Sequence, residues 1–193
     1  MKILDAVGKQ CPIPVIMSKK EVKEGTEQFN ITVDNEFAVE NLRNFALTVG
    51  YTTTSNNDGS NFVVHFNKVA DATCECACCH EIKNWALFVG KDTIGDGEKE
   101  LGTNLIRMFF YTLKEDADIP KYILFMNSGV FLATMDEQIV EHLKALEERG
   151  TEILICGTCL NFYKIQVEPQ VGKISNMYDI SDKMKIADKV ITL

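Results

Sequence analysis

The chain is poor in the features that mark several large classes of protein. It has four prolines, one tryptophan and three histidines in 193 residues. No apolar run is long enough to span a bilayer, and the opening residues lack the charged, apolar and small succession of a secretory signal. A cytoplasmic location with no membrane partner is therefore expected. Basic residues are also in short supply. Lys and Arg number 20 against 28 Asp and Glu, a formal charge of −8, which argues against a phosphate-tracking surface and so against direct nucleic-acid binding. No serine, histidine and acid constellation can be assembled. His65 is expected to point away from a strand's buried face and His142 to lie on a helix surface. Gly95-Asp96-Gly97 lacks the further glycine of a phosphate loop and reads as a turn.

What the chain does contain is cysteine. There are seven, an odd number gathered in clusters, which speaks against a secreted disulfide framework and for redox, transfer or metal chemistry. The length accommodates one ordinary domain or two small ones.

The first cysteine lies in Asp5-Ala6-Val7-Gly8-Lys9-Gln10-Cys11-Pro12-Ile13-Pro14-Val15, where a short strand drawn from Ile3, Leu4 and Val7 gives way to a helix. Proline is favoured in the first helical turn, so Cys11 reads as N-cap and Pro12 as the first helical residue. A thiol there faces unpaired N–H groups that favour its thiolate. The alternative is a half-buried cysteine that only packs. Asp5 either orients the loop or caps it, and Gly8 supplies its turn.

The following helix is expected to bury Ile13, Ile16 and Met17, with Ser18 to Lys23 mostly outward, and to stop at Gly25. Phe29, Ile31 and Val33 alternate as a half-buried strand. Asp34 and Asn35 are candidate caps for a second helix with Ala38, Leu42, Phe45, Ala46 and Val49 inward, ended by Gly50. Tyr51 to Thr54 and Asn61 to Phe66 read as a hairpin through Asn57-Asp58-Gly59-Ser60. The order β-α-β-α-β-β predicts a two-layer sandwich, two helices against a four-stranded mixed sheet.

Leu4-Asp5-x-x-Gly8-x-x-Cys11-Pro12-x-Pro14-Val15, followed by a lysine-bearing helix, resembles the signature of the TusA/SirA-type sulfur-carrier family. The resemblance implies that Cys11 carries sulfane sulfur as a persulfide, supported by Asp5, Gly8, Pro12 and Pro14. Gly8-Lys9-Gln10 departs from that family, where a leucine commonly follows the glycine, and this puts partner choice in question.

Residues 70–83 break the pattern and read as a linker between domains at 1–69 and 84–193. They hold Cys74, Cys76, Cys78, Cys79 and His80. Three readings stand side by side: a soft-metal or adventitious zinc site at Cys76, Cys79 and His80; a thiol arm that relays persulfides; and a solvated linker. Structural zinc sites usually separate two ligand pairs by a dozen or more residues, and no partner pair is present.

From Asn84 onward strands and helices alternate, which predicts a three-layer α/β/α domain with a mainly parallel sheet. Trp85 to Val89 is a continuous apolar strand. A helix with Leu101, Leu105, Met108, Phe109 and Thr112 on its inner face should follow, then a strand from Tyr122 to Met126 ending in Asn127-Ser128-Gly129. Val130 to Ala133 has no assigned element and is a candidate interface. Asp136 caps a helix burying Ile139, Leu143 and Leu146, stopped by Gly150. Ile153 to Ile155 is the next strand, and after Asp182 a short helix and a strand from Val190 to Leu193 are expected. Ligands of such sheets gather at the carboxyl ends of the strands, where Cys156 lies. Cys156-Gly157-Thr158-Cys159 can alternate between dithiol and disulfide, or let one thiol resolve a persulfide on the other. The stretch Ile155 to Leu160 resembles the DsrE/DsrF-like family of sulfur-transfer proteins, with Cys156 the better match to the family cysteine and Cys159 an added thiol.

Together the two domains resemble the YedF-like group, described as sulfurtransferase-like and associated with selenium metabolism. The resemblance implies no resident cofactor beyond a transient persulfide, a cysteine desulfurase or other persulfide donor, and a downstream sulfur or selenium acceptor. It also implies homo-oligomers through the C-terminal domain. The competing function class is a thiol-based metal- or redox-sensing interaction protein using the Cys74 to His80 cluster.

Overall fold

The computed structural model describes residues 2–57, 59, 61–69, 84–166 and 168–193. The chain divides into two units between residues 79 and 80.

In the first unit, β1 (Lys2–Asp5), α1 (Ile13–Lys23), β2 (Gln28–Val33), α2 (Glu36–Thr48), β3 (Tyr51–Asn57) and β4 (Phe62–Lys68) follow in turn. The sheet order is β1-β2-β4-β3. β1 runs parallel to β2, and β4 is antiparallel to both of its neighbours. Strand alternation puts Phe29, Ile31 and Val33 on the core face, where Leu42 of α2 meets Val64 and Phe66 of β4. Phe29 pairs across the ladder with Phe66, and their rings stack at 4.5 Å. On the other face Asn30 Oδ1 lies 2.7 Å from His65 Nδ1, so His65 is turned out of the core as the alternation predicts.

α1 departs from its expected face. Ser18 and Glu21 are buried beside Pro14 and Ile16. Their polar groups are satisfied locally, which makes burial tolerable. Ser18 Oγ donates to the Pro14 carbonyl at 3.1 Å, and Glu21 accepts from Lys2 Nζ at 2.7 Å and Thr26 Oγ1 at 3.2 Å.

The second unit comprises β5 (Trp85–Val89), α3 (Lys99–Glu115), β6 (Tyr122–Phe125), a 3₁₀ turn (Asn127–Gly129), α4 (Val130–Thr134), α5 (Glu137–Glu148), β7 (Glu152–Cys156), α6 (Gly157–Phe162), β8 (Lys173–Ser175), α7 (Met177–Ile186) and β9 (Lys189–Thr192). Its sheet is all parallel, in the order β8-β7-β6-β5-β9. One face, with Leu87, Val89, Ile123, Phe125, Ile153 and Ile155, packs with residues of α3, α4 and α5. The other, with Ala86, Tyr122, Leu124, Leu154 and Cys156, packs with Ile180 of α7. Helices on both faces make the three layers expected of alternating strands and helices.

Three local expectations are corrected. α3 buries Gly102, Ile106, Phe110 and Leu113, leaving Leu101 58% exposed. Gly102 decides this rotation. Its carbonyl accepts from Ile94 N–H at 3.1 Å, and a Cβ there would lie 2.9 Å from Thr93 Cβ. Val130 to Ala133 form α4, and Val130, Leu132 and Ala133 lie in the core, so these side chains are not an interface. α7 begins at Met177, before Asp182, because the Asn176 side chain accepts from Asp179 N–H at 3.1 Å as its N-cap. β8, three residues at a sheet edge, carries no periodic signal long enough to read.

Candidate functional site

The loop that presents Cys11 is tied on its β1 side. Asp5 Oδ1 accepts from Val7 N–H at 3.0 Å, as a loop-orienting role requires. Gly8 adopts φ +73°, a region open to glycine and strained for most other residues, and its N–H donates to Asp34 Oδ2 at 2.8 Å. Asp34 follows the end of β2, so one carboxylate links the loop after β1 to the neighbouring strand. The Asn35 side chain, with the Gly8 amide second, holds the Asp34 carboxyl below its ordinary value.

The helix begins later than expected. Ile13 N–H closes a turn onto the Gln10 carbonyl at 3.0 Å, and Pro12 C=O accepts the first helical bond, from Ile16 N–H at 3.1 Å. Pro12 is therefore the N-cap of α1, and Cys11 stands in the turn before it. Pro14 takes the second helical position, where a missing N–H costs nothing. The Cys11–Pro12 peptide bond is cis.

Cys11 is exposed, and its sulfur opens into a cleft of about 60 Å³ between the starts of α1 and α2. Asn41 Nδ2 approaches Sγ at 3.9 Å. Phe37, 85% exposed, lines the same cleft. Sequence reasoning missed Asn41 and Phe37 and treated Asp34 only as a cap. Asn41 and Phe37 lie on α2's outer side, and only the packing of α1 against α2 brings them beside the thiol. Asn35 does cap α2, accepting from Ala38 N–H at 2.8 Å.

In the second unit, Cys156 ends β7 at the carboxyl edge of the sheet and is the N-cap of α6. It is 2% exposed and packs among Tyr122, Leu124, Leu154 and Ile180. Helix electrostatics have little to offer it, because α6 has six residues and the macrodipole is a sum over aligned peptides. Cys159, one turn on, is only partly buried. It lines an apolar cleft of about 510 Å³ with Phe88, Met126, Phe162 and Tyr163. Asn127 N–H donates to Cys159 Sγ at 3.1 Å, while Tyr163 Oη donates to Asn127 Oδ1 at 2.6 Å. Asn127 has φ +47°, a left-handed conformation that asparagine tolerates better than most residues.

Burial pushes the Cys159 thiol up, and its hydrogen bond with Cys156 adds to the shift, against a smaller pull downward from the Asn127 amide. The structure thus places Cys159 alone of the two thiols at the cleft. Asn127 and Tyr163 escaped sequence reasoning. A strand-ending asparagine signals a turn but not which atom its amide will face.

The remaining candidates are quickly placed. Lys91 Nζ pairs with Asp96, and Gly95 has φ +81°, in keeping with a turn. His142 is half-buried, not on the surface: its ring packs on Tyr111 and its Nδ1 has no hydrogen-bond partner among the described residues. Cys74, Cys76, Cys78, Cys79 and His80 lie outside the described residues. Among the described residues there is no group of three or more His, Cys, Asp or Glu arranged to hold a metal ion. No helix among them is long and apolar enough to cross a membrane.

Known proteins resemble both units. Residues 2–68 match the sulfurtransferase TusA family and residues 92–193 the DsrE/DsrF-like family. A Methanocaldococcus jannaschii protein that carries the provisional name of a sulfur carrier protein is 44% identical over 55 residues, which cover 27% of this chain and 72% of that protein. Among solved structures, a SirA-like protein of Desulfitobacterium hafniense is 34% identical, covering 35% of this chain and 96% of its own, with a TM-score of 0.33. The ychN protein of E. coli is 17% identical, covering 57% of this chain and 99% of its own, with a TM-score of 0.43. The two families point to sulfur carriage or transfer. The chain belongs to the TusA sulfurtransferase family through its first unit and to the DsrE/DsrF-like family through its second.

Proposed function

We propose that this chain is a carrier that holds sulfane sulfur as a persulfide on Cys11 and hands it to an acceptor thiol, with Cys156 and Cys159 as a second thiol site. The observation that carries the reading is the exposure of Cys11 in a loop anchored by Asp5 and Asp34. Thiol exchange at sulfane sulfur needs access and a held nucleophile more than a deep pocket. The Cys11 thiolate attacks the terminal sulfur of a donor persulfide, such as that of a cysteine desulfurase. The donor's sulfur–sulfur bond breaks, its thiolate leaves, and Cys11 retains the terminal sulfur. Attack by an acceptor thiolate on that sulfur reverses the process. A selenium atom would follow the same route, and the cargo is decided by which donor loads the chain.

The test is loading of the full chain with labelled sulfur from a desulfurase persulfide, followed by peptide mass mapping. Cys11→Ser should abolish label on the first unit while leaving the thermal melting profile in place. Wild-type loading by the Cys11→Ser chain, or label confined to Cys74, Cys76, Cys78 and Cys79, would refute the carrier reading.

A further inference from the structure

We propose that Cys159 is the sulfur-accepting atom of the second unit, that Cys156 behind it is the thiol that releases the sulfur, and that Asn127 is a positioning residue for Cys159. The inference rests on the carrier reading above and gives direction to a pair in which the family resemblance alone favours Cys156. Cys156 is 2% exposed and faces the side of the sheet covered by Ile180 of α7, whereas Cys159 opens into the cleft. A persulfide entering from solvent meets Cys159 first. The Asn127 N–H at 3.1 Å supplies a donor to that sulfur when it is charged, as preorganised amides do for developing anions. Tyr163 fixes the donor by holding the Asn127 side chain at 2.6 Å, which keeps its backbone left-handed and its amide aimed.

The lining states what kind of donor fits. Phe88, Met126, Phe162 and Tyr163 line the cleft with the sulfur, Asn127 and Thr158 are the other polar side chains, and no charged residue is in the wall among the described residues. Burying an unpaired charge in such a wall is costly. The cleft therefore suits a persulfide next to an apolar group, in preference to a small anionic sulfur donor.

The chemistry balances in two steps. The Cys159 thiolate attacks the terminal sulfur of R–S–SH, the sulfur–sulfur bond of the donor breaks, R–S⁻ leaves with the electron pair, and Cys159–S–SH forms. Cys156, the N-cap of the helix whose first turn carries Cys159, then attacks Cys159 Sγ as its thiolate. The bond from Sγ to the outer sulfur breaks, hydrosulfide departs with the electron pair, and a Cys156–Cys159 disulfide forms. The sulfane sulfur is reduced while the two cysteines are oxidised, and a dithiol reductant returns both to thiols with two electrons and two protons.

The experiment uses the full chain with benzyl persulfide as apolar donor and thiosulfate as anionic donor. Cys156→Ala and Cys159→Ala each leave one cysteine in the Glu152–Tyr163 stretch, so the loaded atom is unambiguous. Cys156→Ala should retain added sulfur on Cys159 and lose hydrosulfide release. Cys159→Ala should lose both. Thiosulfate should load Cys159 less than benzyl persulfide does. Loading of Cys156 in the Cys159→Ala chain, or hydrosulfide release by Cys156→Ala at the wild-type rate, overturns the assignment. So does preferential loading by thiosulfate.

Because Cys156 is a core residue, a measurement on the unaltered chain stands beside the variants. Native alkylation should label Cys159 before Cys156, and the reverse order overturns the proposal. For the positioning role, Tyr163→Phe should move the pH dependence of Cys159 alkylation to higher pH, and an unmoved profile refutes it. Sulfur on Cys11 without sulfur on Cys159 defeats this inference alone, whereas failure to load Cys11 defeats the reading beneath it.

Discussion

Asp34 and His142 show how single side chains tie each unit to its surroundings. Asp34 Oδ2 holds the Gly8 amide and Thr32 O accepts from the Ala6 N–H at 2.9 Å, so two bonds tie the loop bearing Cys11 to the end of β2. Asp34→Ala should therefore speed amide exchange at Gly8 and slow sulfur loading of Cys11, with little change in global stability, since Asp34 is an exposed residue. Equal exchange in the two chains would show that the carboxylate does not anchor the loop. His142 makes the opposite kind of contribution. Its burial, with Lys114 second, lowers its pKa below the ordinary value, so the folded state favours neutral imidazole and the unfolded chain binds the proton more readily. Stability of the second unit should be fully present above the unfolded histidine value of about 6.5 and fall as pH drops below it. Thermal melts at stepped pH would read this, and His142→Phe should flatten the dependence. A slope unchanged by that substitution assigns the effect elsewhere. Neither role can be read from sequence: Asp34 reads as a cap candidate, yet Asn35 caps α2 and the backbone partner of Asp34 lies 26 positions away, and His142 sits among polar neighbours that suggest a surface.

At the level of elements, α3 and α1 mark the limit of periodicity. Two adjacent stripes of α3 are apolar, Leu101-Leu105-Met108 and Ile106-Phe110-Leu113, and amphipathic spacing suits either. The close approach of Gly102 to Thr93 and Ile94 selects the second. Ile106→Ala should then cost about 2–5 kcal/mol as a core cavity, while Leu101→Ala should stay within about 0.5 kcal/mol as a surface change. Chemical denaturation of both variants checks this, and equal losses would place the stripe wrongly. In α1 the polar residues Ser18 and Glu21 turn inward because partners meet them there, Pro14 O for one and Lys2 and Thr26 for the other. Strands were more legible. The continuous apolar run of β5 is buried on both faces, and Phe29, Ile31 and Val33 of β2 fill the core as their alternation predicts, although Asn30 on the opposite face is buried as well.

Across the whole molecule, each unit closes its own core, Phe29 with Ile31, Leu42 and Phe66 in the first, and Leu87 with Phe110, Ile123 and Leu143 in the second. Phe29→Ala should lower the melting transition of the first unit by the equivalent of about 3–5 kcal/mol and leave that of the second in place, as calorimetry of the full chain would show; a joint shift would mean one cooperative core. The sequence alone settled that there are two α/β units, the order of most of their strands and helices, and a cysteine-bearing loop between the first strand and helix, because those features rest on local signals: turn glycines, caps, prolines and period-two or period-3.6 spacing. Tertiary structure decided which thiol of Cys156-Gly157-Thr158-Cys159 meets the cleft, and that Asn127, Tyr163, Asn41 and Phe37 stand beside the sulfurs. The reason is physical. Strand alternation sends Cys156 to the face that Ile180 covers, and neither that cover nor the Asn127 amide is encoded near the cysteines it affects.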